Sequence, residues 1–299
     1  MVMQKKAAGI QETASSRAFD VINVIIMLGI AFITLFPLWH VLVVSLSGGL
    51  AVQTGQVIFW PKQFTLSAYE QVFKDDSILC AYGNTLYYTV LGTAINMAMS
   101  ILCAYPMSKR NLYGKKYLNI LMVVPMFISG GMIPSYMLVD ALGLIDTVWA
   151  LVLPGAISTY NMIIMRTFFQ GLTDTIEESA RIDGASEWRI LLSIILPLST
   201  PILATMTMFY AVGHWNSYFS AVLYMNKKSH YPVQVILRNI VIANETQEYM
   251  AETASSSMEF ISTTIKYAVV MVVITPILCV YPFAQKYFVK GMLVGSLKG

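Results

Sequence analysis

Charge is what this sequence lacks most. Of 299 residues only 12% are Asp, Glu, Lys or Arg, against 57% hydrophobic, and the mean hydropathy is +0.64. A soluble domain carries roughly 25% charged residues, so half that proportion leaves too few to cover a water-facing surface. The deficit is also local: residues 21–61, 77–108, 117–139, 147–165, 190–226 and 267–285 contain no charged side chain. A helix crossing a hydrocarbon layer of ~30 Å needs about 20 apolar residues. Most of these intervals reach that length, and the shorter ones can borrow flanking apolar residues.

Other absences narrow the chemistry. Cys80, Cys103 and Cys279 stand alone with no C-x-x-C pair, so they read as small apolar fillers. Lys/Arg runs and basic–aromatic interleaving are missing, which excludes nucleic-acid binding. There is no G-x-x-x-x-G-K-[ST], G-x-S-x-G or H-E-x-x-H, hence no phosphate-binding loop, nucleophile elbow or zinc helix. No acidic residue falls inside an apolar interval, and His214 is the one deep titratable group, read as a hydrogen-bonded structural residue. Ion-coupled carriers place carboxylates or His at membrane depth. The expectation is a non-enzymatic chain with no metal site and no cofactor of its own, driven from outside.

What is present predicts an all-α polytopic membrane protein with six transmembrane helices, near 20–47, 83–106, 117–139, 147–170, 196–225 and 262–286. The run from Val21 to Leu46 exceeds a signal-peptide core and reads as a retained first helix. Ser129-Gly130-Gly131-Met132-Ile133-Pro134 predicts a kink or brief unwinding. With the N-terminus inside, thirteen Lys/Arg lie in inner segments and six in outer ones, the bias of the positive-inside rule. The domain reading is a cytoplasmic segment 1–19, a permease domain 20–286 with an inner loop at 173–195, and a cytoplasmic tail 287–299. The outer segments 48–82 and 226–261 are polar enough to meet an external partner.

The inner loop carries the sharpest signal. Thr175 and Glu178 have capping-box spacing, so a short helix is expected from there to Asp183-Gly184, where glycine allows the positive φ that ends it. A second helix starts by Ser186 and runs into Pro197. The result is a helix–turn–helix whose small residues Ser179, Ala180, Gly184 and Ala185 let another surface approach.

At this point the chain resembles the permease subunits of binding-protein-dependent ABC importers. Their loop reads Glu-Ala-Ala, three residues, Gly, nine residues, Ile-x-Leu-Pro. Here it is Glu178-Ser179-Ala180, Gly184 and Ile194-Ile195-Leu196-Pro197, with Ser179 the one departure. The likeness extends over nearly the whole chain and is strongest to the sugar branch (MalG-like), on Ile182-Asp183-Gly184-Ala185, Leu196-Pro197-Leu198-Ser199-Thr200-Pro201 and Trp215-Asn216. Ala81-Tyr82-Gly83-Asn84-Thr85 and Pro232-Val233-Gln234 point further, to subunits for polysaccharide-derived oligosaccharides such as alginate or pectin fragments.

The resemblance implies a type I ABC importer permease fold in a bacterial cytoplasmic membrane. It implies a homologous second permease, an extracytoplasmic solute-binding protein, and an ATP-binding cassette ATPase dimer that holds ATP and Mg2+. Glu178, Ser179, Ala180, Asp183, Gly184 and Ala185 would couple to that ATPase. Sugars are held by aromatic faces and neutral amides. Tyr136, Tyr160, Asn161, Trp215, Asn216 and Tyr218 are therefore the candidate pathway residues, though helix packing explains a share of them equally well. The spans hold no deep Lys or Arg, which disfavours a strongly anionic cargo. The competing readings are an ion-coupled carrier and an ABC permease for a non-sugar solute.

Overall fold

The computed structural model describes residues 14–128, 130–250 and 259–296, with side chains except at 14–15, 173–176, 243–250, 259–263 and 283–296. Among the described residues every regular element is helical. In order these are α1 (Ala14–Ser45), α2 (Gly49–Gln53), α3 (Ser67–Lys74), α4 (Asp76–Ser108), α5 (Lys115–Phe127), α6 (Met132–Ala141), α7 (Val148–Val152) and α8 (Thr159–Gln170). Then come α9 (Thr173–Ile182), α10 (Glu187–Ile190), a π-turn (Leu191–Ile195), α11 (Leu196–Leu198), α12 (Thr200–Trp215), α13 (Phe219–Tyr224), α14 (Val233–Met250) and α15 (Glu259–Ser296).

The chain divides into two compact units, residues 1–69 with 255–271, and 70–254 with 272–299. In the first, the end of α1 is pinned by the loop that follows it. Val43, Val44, Ala51 and Val57 are buried together, Trp39 Nε1 donates to the Phe59 carbonyl at 2.9 Å, and Ser45 Oγ meets the Tyr69 hydroxyl at 2.7 Å. Along Ser16–Ser45 no residue of the most apolar stretch, with a mean hydropathy of 2.5, is buried. An apolar surface of that length is stable only against lipid or other helices.

The second unit is built on α4, which packs along α12 and α8. Its buried positions Ala81, Thr85, Tyr88, Gly92, Asn96, Ser100 and Ala104 recur every three or four residues. Such spacing lines one helical face, and most of its side chains are small enough for backbones to approach closely. Asn96 and Ser100 on this seam are paired. Asn96 Nδ2 donates to the Gly155 carbonyl at 2.6 Å, its Oδ1 accepts from His214 Nε2 at 2.5 Å, and Ser100 Oγ meets the Tyr210 hydroxyl at 2.6 Å. Because an amide oxygen only accepts, that contact puts the proton of His214 on Nε2. His214 is thus the structural residue expected.

Gly92 admits the imidazole. A Cβ there would lie 2.5 Å from His214 Cε1 and Nε2 and 2.8 Å from Nδ1. Gly92→Ala is expected to lose about 1–3 kcal/mol through overpacking and to melt earlier in detergent. Adding His214→Ala should recover most of that loss, and no recovery would show that the contact is not the cause.

Among the described residues three helices are long and apolar enough to cross a membrane, or up to five if each bent pair counts as one span. The expected fourth span is divided: α7 and α8 are separated by six residues containing Pro154 and Gly155. Proline removes one helix hydrogen bond, and Asn96 from α4 takes up the Gly155 carbonyl. A comparable break follows Phe127, where Gly131 has φ +86° before α6 starts at Met132, as the glycine pair predicts; Ser129 lies outside the described residues. In the fifth, the stretch Glu187–Leu198 meets Thr200–Trp215 at 83°.

Candidate functional site: the coupling loop and the outer cluster

The inner loop folds as a helix, a glycine turn and a second helix. α9 begins at Thr173, two residues before the expected start, and the Thr175 side chain lies outside the described residues. Its end is a Schellman turn. Gly184 has φ +77°, its N–H bonds the Arg181 carbonyl at 3.0 Å, and the Ala185 N–H bonds the Ala180 carbonyl at 3.0 Å. Ser186 opens α10, its hydroxyl accepting from the Arg189 N–H at 3.4 Å. The π-turn Leu191–Ile195 precedes Pro197, whose ring and missing N–H disturb the preceding turn.

Burial separates the small residues of the loop into two groups. Ala180 is 8% exposed and packs with Phe169, Ala104 and Ile190. Its small size therefore lets α9 lie close on its own bundle rather than admit a foreign surface. Glu178, Ser179, Asp183 and Gly184 are exposed, and Ala185 is half-buried against the same core. Ile182 and Trp188 also present apolar side chains to the outside, 86% and 63% exposed.

A charged cluster that the spacing did not reveal ties this loop to the end of α4. Glu177 is buried and meets Lys109; Lys109 Nζ lies 3.2 Å from Glu187 Oε2 and donates to the Tyr105 hydroxyl at 2.7 Å. Arg181 bridges the two acids, at 3.5 Å to Glu177 Oε1 and 2.5 Å to Glu187 Oε1. The single Tyr105 proton has both carboxylates within reach, at 3.2 and 3.0 Å. The one local clue in the sequence is the Glu177–Arg181 i,i+4 spacing.

At the other end of α4 a second group of residues converges. The segment 229–233 is laced to α4: Asn84 Nδ2 donates to the carbonyls of Ser229 (2.7 Å) and Tyr231 (3.2 Å), the Tyr88 hydroxyl to that of His230 (3.0 Å), and the Val233 N–H to Thr85 Oγ1 (2.8 Å). Asp146, at φ +64°, accepts from the N–H groups of Asn226 (2.6 Å) and Lys227 (3.0 Å). These backbone donors, Lys227 foremost, hold its carboxyl below the ordinary Asp value.

The candidate pathway residues are dispersed. Trp215 is buried, donating Nε1–H to the Val273 carbonyl at 3.2 Å with its ring edge-on to Tyr82, so it serves helix packing. Tyr136 stacks on Tyr224, centroids 6.2 Å apart. Tyr160 is exposed and Asn161 is buried at the start of α8. Asn216 and Tyr218 do come together with two residues not anticipated: Gln234 Nε2 donates to Asn216 Oδ1 at 3.3 Å, and the Arg238 guanidinium lies 4.8 Å above the Tyr218 ring. Among the described residues no group of His, Cys, Asp or Glu could hold a metal ion.

The described residues form a helical chain with membrane-length apolar helices and a helix–turn–helix loop packed between α8 and α12. Residues 96–294 match the binding-protein-dependent transport system inner membrane components, and the chain belongs to that family. It is similar over nearly its full length to two proteins of Bacillus subtilis (strain 168). One is Protein LplC, 42% identical over 96% of this chain and 97% of that one. The other is the polygalacturonan/rhamnogalacturonan transport system permease protein YtcP, 44% identical over 95% and 99%. Among solved structures, a chain of a bacterial ABC transporter involved in the import of the acidic polysaccharide alginate superposes with a TM-score of 0.84, at 33% identity over 92% of this chain and 98% of that one. The fold is that of a type I ABC importer permease. The chain is a permease subunit of such an importer, an inner membrane component whose family works with a binding protein, an ATPase and a second permease.

Proposed function

We propose that this subunit conducts oligosaccharides handed over by an extracytoplasmic solute-binding protein, beside a homologous second permease. Both termini and the 173–195 loop face the cytoplasm, following the Lys/Arg bias. The exposed residues Glu178, Ser179, Asp183 and Gly184 meet the ATPase, while Ala180 and Ala185 hold the loop against the bundle. The observation that carries this reading is the Schellman turn at Gly184, set above a buried Ala180 and bound to α4 through Lys109 and Glu177. Movement of the loop then moves a spanning helix. ATP and Mg2+ act on the partner, and this chain performs no chemistry. The cargo class is supported by the relatives named for polygalacturonan/rhamnogalacturonan transport and alginate import.

The test is uptake into vesicles containing the assembled importer. Trigalacturonate or a neutral trisaccharide such as arabinotriose should accumulate only with ATP on the ATPase side and the binding protein opposite. Accumulation driven by a proton or sodium gradient without ATP would sink the reading in favour of an ion-coupled carrier.

A further inference from the structure

The sequence shows no cation inside the spans, yet the fold brings one, Arg238 of α14, over Tyr218, one of the candidate pathway residues. α13 and α14 pack through Ala221, Met225 and Val235, with Tyr218 and Leu151 against them. That packing turns Gln234 and Arg238, one helical turn apart on α14 and so on one face, toward the Asn216–Tyr218 linker between α12 and α13. The polar contacts here are the hydrogen bond from Gln234 Nε2 to Asn216 Oδ1 and the Arg238 guanidinium over the Tyr218 ring.

We propose that Arg238, Asn216 and Gln234 form a subsite for a uronate unit of the cargo, with Tyr218 as the residue that positions Arg238. This rests on the oligosaccharide reading above and specifies its charge. Among the described residues no carboxylate pairs with Arg238, whose side chain is exposed. A guanidinium offers donors in a planar fork that matches a carboxylate in two parallel hydrogen bonds. Its position over the Tyr218 ring holds the guanidinium in place, which lowers the ordering needed when the carboxylate arrives. The amides complete the match. With Asn216 Oδ1 accepting from Gln234 Nε2, Asn216 Nδ2 remains to donate and Gln234 Oε1 to accept, as a vicinal pair of sugar hydroxyls requires. Trp215, packed on Tyr82, anchors the linker that carries Asn216.

The experiment is uptake of trigalacturonate and of arabinotriose by the assembled importer, with binding-protein-stimulated ATP hydrolysis measured alongside. Arg238→Gln is expected to lower trigalacturonate uptake about tenfold or more, the loss of one charged partner, with ATP hydrolysis unchanged. Arg238→Lys should keep more uptake than Arg238→Gln, and Tyr218→Leu should reduce it while Tyr218→Phe does not. Undiminished trigalacturonate uptake by Arg238→Gln overturns the subsite, as does an equal loss of uptake and ATP hydrolysis, which would mark Arg238 as structural. Wild-type uptake of arabinotriose alone overturns the subsite and leaves the oligosaccharide reading standing. Uptake of neither sugar overturns both.

Discussion

Gly184→Asp is expected to leave the chain inserted in the membrane and to abolish uptake. The backbone at this position has φ +77°, and a Cβ built there meets nothing within 4 Å. Asp is among the non-glycine residues found most often in this region, so the conformational penalty is about 1–2 kcal/mol, too small to unfold the unit. The new carboxylate points away from the chain's own bundle, into the space above the turn. It also adds a negative charge between Glu178 and Glu187, beside Asp183. A partner surface fitted to that turn would meet both bulk and charge. Gly184→Asn separates the two, having the same shape and backbone tolerance without the charge, and should retain part of the uptake. The measurements are membrane yield, recovery of the ATPase with the purified permease, and ATP-driven uptake. An Asp variant that recovers the ATPase and transports at the wild-type rate would remove the turn from the docking surface.

Much of the fold was legible because lipid imposes long uncharged runs, and these locate α1, α4, α12 and α15. The Gly184 turn was legible for a local reason: the positive φ and its two hydrogen bonds are satisfied within six residues, 180–185. What spacing could not supply were relations between distant segments. Lys109 meets Glu177 across 68 positions, and nothing near either residue announces the other. Trp215 and Asn216 are adjacent, yet the helix end between them sends one into the packing with Tyr82 and leaves the other exposed. Arg238 counted as an outer charge in the sequence; only the packing of α13 on α14 brings it over Tyr218. The division of the fourth span at Pro154 was similarly hidden, because its compensating donor, Asn96, lies on another helix.

Glu177→Ala tests whether the charged cluster transmits motion or merely holds the loop down. Glu177 is 7% exposed, and the Lys109 side chain beside it is 17% exposed, whereas Arg181 and Glu187 are more than half exposed. Removing one member of a buried pair leaves the other charge uncompensated, at about 3–5 kcal/mol. Glu187 remains 3.2 Å from Lys109 and offsets part of this, so the expected loss is near ~3 kcal/mol. Glu187→Ala removes an exposed partner and should cost under about 1 kcal/mol. Thermal melts of the two purified variants give this ordering directly, and equal shifts would contradict the burial argument. Transmission needs a further variant. Glu177→Leu with Lys109→Met fills the same space with apolar groups, and replacing a buried ion pair in this way is often neutral or stabilising. If the cluster transmits work, the double variant melts like the wild type and still hydrolyses ATP, but its uptake falls, because α4 is no longer bound to α9 by a directional contact. Uptake recovered together with stability would reduce the cluster to a packing device and place the transmission in the apolar contacts of Ala180, Phe169 and Ala104.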